Sequence, residues 1–200
     1  MNTTSDATDP RIGEVLDFWF GAPESADYGL ERKMWFKKDA AFDAMLRERF
    51  GALLAAARAG EIDTWCATPA GALALVIVLD QFSRNCHRDT PHAFSADEKA
   101  LAVARAMVAR GDDRRLPTLQ HRVFAYLPFE HAESAEAQRE SLRLFGELAS
   151  EPQAKSYYDY AVRHANVIER FGRFPHRNAQ LGRATSEAEA AFLREPGSRF

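Results

Sequence analysis

The chain has 200 residues, 46% of them hydrophobic and 28% charged, with 26 Lys and Arg against 29 Asp and Glu. That is ordinary globular usage at a length that fills a substantial core, which argues against a low-complexity or disulfide-framework protein. The net charge of −3 weighs against a dedicated nucleic-acid partner, and the longest apolar run, ALALVIVL at 72–79, is too short to span a membrane.

The N-terminal MNTTSDATDP is polar and lacks the apolar stretch of a signal peptide. Residues 1–8 read as a disordered lead and 9–200 as one helical domain. Cys66 and Cys86 form no CxxC pair, which fits a reducing cytoplasm. Alternating Val/Ile/Thr runs and Asn-Gly turns are missing, whereas helix punctuation recurs throughout. Asp9-Pro10 opens a first helix bearing Ile12, Val15, Phe18 and Trp19, closed by Gly21. Asp39 opens a second, with Phe42, Met45, Leu46, Phe50, Leu53 and Leu54 on one face, ending near Gly60. Thr68-Pro69 opens a third, apolar all round through Leu79, which predicts a buried central helix.

Ser95-Ala-Asp-Glu98 has the spacing of a capping box for a helix running to Gly111. Further helices are predicted near 118–127, 135–149 and 156–171, and Ser186-Glu-Ala-Glu189 caps a last short one. The expectation is all-α, about eight helices packed as antiparallel hairpins.

The polar residues at the helix exits are richer than packing requires. Asp80 and Arg84 are four apart at the end of the central helix, so they share a face, and Asn85 follows. Pro128 is expected to break its helix and leave Glu130 and His131 at the exit, a pair suited to acid/base work or to capping. Tyr160, His164, Val167, Ile168 and Phe171 share one helical face, which turns His164 inward. RFGRFPHRNAQLGR, residues 170–183, holds four arginines, a histidine and an asparagine without a carboxylate. Gly172 and Pro175 end the helix there and put Arg173, His176, Arg177 and Asn178 on a loop.

Glu130, His131, His164 and His176 are therefore the candidate catalytic groups. Asp80, Arg84, Asn85, Arg170, Arg173, Arg177 and Asn178 are the candidate ligand contacts, since guanidinium groups recognise carboxylate and phosphate. The alternative is that the arginines meet carboxylates of the same chain, with Asp80 and Glu130 as obvious partners. HExxH, zinc-spaced Cys/His, GxxxxGK[ST] and GxSxG are all missing, so neither a metal nor a cofactor is expected.

Four stretches together resemble one family: VLDFWFG (15–21), LDQFSRNCHRDTPHAFSAD (79–97), FAYLPFEHAE (124–133) with Gln138, and HANVIERFGRFPHRNAQLGRATSEAEAAFL (164–193). The chain resembles the bacterial family called domain of unknown function 924. The resemblance implies a tetratricopeptide-like right-handed superhelix and no particular activity. The family pattern usually has Pro where this chain has Ser83, and often Gly where it has Asp89. Two functions follow as expectations. The first is a pocket for a small phosphate- or carboxylate-bearing ligand, between the 80–88 exit and the 170–178 loop, which closure by Phe82, Phe174 and Trp35 would favour over an open groove. The second is an interaction groove for an acidic peptide. In a third reading, the cluster is a buried network that locks the helices together.

Overall fold

Short local signals set most of the helix ends. The structure is a computed structural model that describes residues 9–198, which are helices, turns and loops with no strand among them. The proposed lead at 1–8 lies outside the described residues. Asp9 accepts from the Arg11 amide and Pro10 fills the first turn of α1 (Pro10–Phe20). Asp39 accepts from the Ala41 and Phe42 amides to start α2 (Ala40–Ala59). Thr68 does the same through the Gly71 amide for α3 (Pro69–Val76). Gly60 ends α2, Gly111 ends α5 (Asp97–Arg110) and Gly172 ends α8 (Lys155–Phe171), each in the left-handed conformation. Ser186 and Glu189 form the predicted capping box of α9 (Glu187–Phe192).

α3 does not stop at Val76. It passes into a π-helical segment, Ile77–Phe82, and then into α4 (Ser83–Cys86), making one rod that is buried from Gly71 through Ser83. The predicted central helix is therefore present. The rod packs against α1, α2, α5 and α6 (Leu119–His131), and α6 packs in turn on α7 (Ala135–Leu148) and α7 on α8. Aromatic rings fill the space beside the rod. Trp19 meets Phe82 at 5.6 Å and Phe124 at 5.6 Å, and Trp35 meets Phe124 at 4.7 Å. Phe82 and Trp35 are thus core residues. Val167, Ile168 and Phe174 form a second, smaller cluster, with Phe171 and Phe192 against it.

Four expectations need correction. Pro128 does not break its helix, because α6 runs through it to His131. A proline inside a helix forfeits a backbone bond and costs about 3 kcal/mol. The burial of every residue from Val123 to Glu130 offsets that cost. Gln138 on α7 also donates to the carbonyls of Phe129, Glu130 and Ala132, which satisfies the helix end. Ser95 does not cap α5. Its hydroxyl donates to the His92 carbonyl and Ala96 takes the cap position, a local bond that competes with capping. Tyr160 and Met45, placed on buried faces by spacing, are exposed. Asp89 sits at φ 62°, a conformation that glycine adopts without strain.

Candidate polar site at the π-helical segment

The π-helical segment carries Asp80 into the interior, where only 1% of the residue is exposed. A carboxylate there needs several partners. His131 supplies Nδ1–H to both carboxylate oxygens, at 2.8 and 3.0 Å. Gln81 Nε2 donates at 2.6 Å, and Arg84 Nη1 lies 2.9 Å from Oδ1, the i,i+4 pairing read from the sequence. Burial works against the Asp80 charge, but Arg84, His131 and Gln81 overcome it and hold the carboxyl well below its ordinary range. With Nδ1 committed to Asp80, the neutral His131 ring carries its lone pair on Nε2. Nε2 makes no hydrogen bond among the described residues, and 16% of the side chain is exposed. Burial first, then Arg84, lowers the His131 pKa. The neutral, basic ring is therefore the form present at neutral pH.

Arg84 joins this pair to the C-terminal loop. It also holds Asp97, the first residue of α5, through two bonds of 2.9 and 3.0 Å. Asp97 accepts in turn from Arg177 Nη1 at 3.4 Å. Arg177 is 6% exposed and lies between the rings of Phe94 and Phe174, at 4.7 and 4.6 Å. Its Nε is buried and has no hydrogen-bond partner among the described residues. Burial, followed by repulsion from Arg84, brings its pKa down to about 10. His176 lies beside it, with a pKa of about 4 from burial and the Arg177 charge.

Behind His131 is a second pair. His164 Nδ1 is 3.2 Å from Glu130 and donates to the Tyr160 carbonyl at 2.9 Å. Burial pushes Glu130 up to about 8, with Asp80 adding to the shift, and burial pushes His164 down to about 3. Both groups are neutral at neutral pH, because the interior disfavours two separate charges, and they meet as a close polar contact. The His131 and His164 rings are 6.4 Å apart.

Distant parts of the chain thus bring Asp80, Arg84, Glu130, His131, His164, His176 and Arg177 together. The other four candidates lie elsewhere. Asn85 donates to Asp43, which Arg88 also holds. Arg170 is exposed over the rings of Phe171 and Phe192. Arg173 is bidentate to Glu189, at 2.6 and 2.9 Å. Asn178 is buried between Thr185 and Arg183. Sequence reasoning missed Asp97, Glu133 and Arg183. Glu133 accepts from the Phe174 amide at 2.7 Å and from Arg183 at 2.6 and 2.9 Å, pinning the C-terminal loop to the exit of α6. The one available signal was that Asp97 and Glu133 fall inside the quoted motifs.

Fold and site together describe an all-helical protein with a partly exposed Asp–His–Arg cluster beside a π-helical segment. Residues 15–197 match the family model described as bacterial protein of unknown function (DUF924), and the chain belongs to that family. A solved structure of a protein of unknown function, ATU0120 from Agrobacterium tumefaciens, is similar to it, at 38% identity and a TM-score of 0.80, over 92% of this chain and 97% of that one. No curated protein matches the chain. No helix among the described residues is long and apolar enough to cross a membrane.

Proposed function

We propose that the cluster binds a small phosphate- or carboxylate-bearing metabolite and that His131 acts on it as a general base in a hydrolytic or group-transfer reaction. The Asp80–His131 pair is the observation that carries this reading. A buried carboxylate fixes the ring tautomer and leaves a neutral, partly exposed Nε2 to take a proton from water or from a ligand hydroxyl. Arg84 and Arg177 flank it and supply the donors an anion requires. The π-helical segment adds support, since such segments recur at functional sites. A cytoplasmic setting belongs to the same reading, with Cys66 and Cys86 both free thiols.

A second reading has its own observation. A groove of about 590 Å³ between α5 and α7 is lined by Arg105, Arg139 and Arg143 with Glu136 and Glu140. An interaction module of the tetratricopeptide-like kind would use that groove and leave the histidine cluster as a structural lock. The serial packing of α6, α7 and α8 supports such an arrangement.

Thermal unfolding against phosphate, nucleotides, sugar phosphates and dicarboxylates separates the two readings. A ligand at a hundred times its Kd adds about 2.7 kcal/mol. The expected result is one compound class that stabilises the wild type and Arg173→Ala but not His131→Ala. Equal stabilisation of all three proteins, or of none, would sink the proposal.

A further inference from the structure

The exit of α4 gathers a second set of cationic groups, on a different set of side chains from the Asp80 cluster. Arg58, half-buried on α2, donates to Ser83 Oγ at 2.6 Å and to the His92 carbonyl at 2.7 Å, and its Nη1 lies 3.2 Å from His87 Nε2. Arg47, about three turns earlier on α2 and exposed, donates from Nε to the Cys86 carbonyl at 3.0 Å. The His87 and His92 rings are 5.7 Å apart.

Most arginines around the core of this chain meet a carboxylate. Arg47 and Arg58 form no ion pair among the described residues. The nearby Asp43 is already committed to Arg88 and Asn85, and Lys99 takes Asp63. A guanidinium has only donors, so Arg58 must donate to His87 Nε2, which puts the imidazole hydrogen on Nδ1. His87 Nδ1–H and both Nη groups of Arg47 make no hydrogen bond among the described residues. The half-buried surface therefore offers several convergent donors with no matching acceptor. The groups facing His87 are Arg58, His92 and Arg47, and together with burial they lower its pKa.

We infer that Arg47, Arg58, His87 and His92 form a second anion-binding site, suited to a phosphate group. A compact oxyanion supplies acceptors for these donors and the negative charge favoured by two guanidiniums that form no ion pair among the described residues. The site stands independently of the function proposed for the Asp80 cluster.

The test is an NMR titration of the full chain with inorganic phosphate, following all the histidine rings. Phosphate is expected to raise the His87 pKa by about one unit, as an opposite charge at contact distance does. Arg47→Ala, which removes an exposed side chain and one bond to a carbonyl, is expected to weaken phosphate about tenfold, the worth of one charged hydrogen bond. Three results would overturn the inference: a His87 titration indifferent to phosphate, an Arg47→Ala protein that binds as tightly as the wild type, or shifts confined to His131 and His176.

Discussion

The two arginine-rich regions of this molecule meet their carboxylates on different terms. Arg173 and Arg183, beyond α8, each have a carboxylate of their own, Glu189 and Glu133, with two short bonds apiece. Arg84 and Arg177 share Asp97, and Arg84 carries Asp80 as well. In the first region each guanidinium is bidentate to a carboxylate of its own, and the result is closure. In the second, a buried guanidinium keeps an Nε and an imidazole keeps an Nε2 that are unbonded among the described residues. Closure alone does not call for that surplus, and the surplus is what gives the second region its proposed chemistry.

The strongest way to break the contrast is Arg84→Met. It leaves Asp80 buried with His131 and Gln81 alone, and losing one partner of a buried pair costs about 3–5 kcal/mol. Denaturant unfolding should show a loss of that size. A loss under about 1 kcal/mol would place this pair with ordinary surface bridges.

Next in size is a pH effect. Glu130, with its pKa raised from 4.5 to about 8, contributes stability that is complete below pH 4.5 and is lost as the pH rises toward 8. His164, lowered from 6.5 to about 3, contributes stability present above 6.5 and lost as the pH falls toward 3. The two slopes oppose each other between 4.5 and 6.5, so the loss should show between 6.5 and 8. That window is one and a half units at about 1.4 kcal/mol each, about 2 kcal/mol in all. Glu130→Gln should abolish the decline. A mutant that declines as steeply as the wild type would exclude Glu130 as its source.

Arg173→Ala sharpens the comparison from the other side. It should lower the unfolding midpoint by less than Arg84→Met does and leave any ligand-induced rise intact. Loss of that rise in Arg173→Ala would show that the loop arginines belong to the site. The smallest effect is expected at Asp89, whose φ of 62° suits glycine. Asp89→Gly should raise stability by no more than about 1 kcal/mol. A fall would show that the Lys38 contact of Asp89, at 2.9 Å, outweighs the backbone strain.

The legible parts of the sequence were those decided within a turn of chain. Asp9, Asp39, Thr68 and Ser186 cap the helices they were expected to cap, because a cap needs only its own residue and the next three amides. The Asp80–Arg84 contact was legible for the same reason. Pro128 suggests a helix end, but burial and Gln138, ten residues on, decide that α6 continues. The join between Asp80 and His131 spans 51 residues, and nothing in either motif announces the other. Asp97 lies inside the Ser95–Glu98 stretch, whose spacing speaks only of a local cap, so nothing nearby marks it as the acceptor shared by Arg84 and Arg177.

The small apolar cluster of Val167, Ile168 and Phe174 has a consequence for timing. Past Gly172 the chain rests on that cluster and on polar cross-links, while the main core reaches α8 through Tyr157 and Ala161, nearer its start. Segments with few buried apolar contacts are the first to open in a folded protein. Arg177 and His176 ride on that segment, whereas Asp80, Arg84 and His131 are fixed to the rod and to α6. One wall of the cluster therefore belongs to the rod and to α6 and the other to the last stretch of chain, so the two meet only while that stretch is docked. A ligand that bridges them would act as a clasp on the C-terminal end of the molecule.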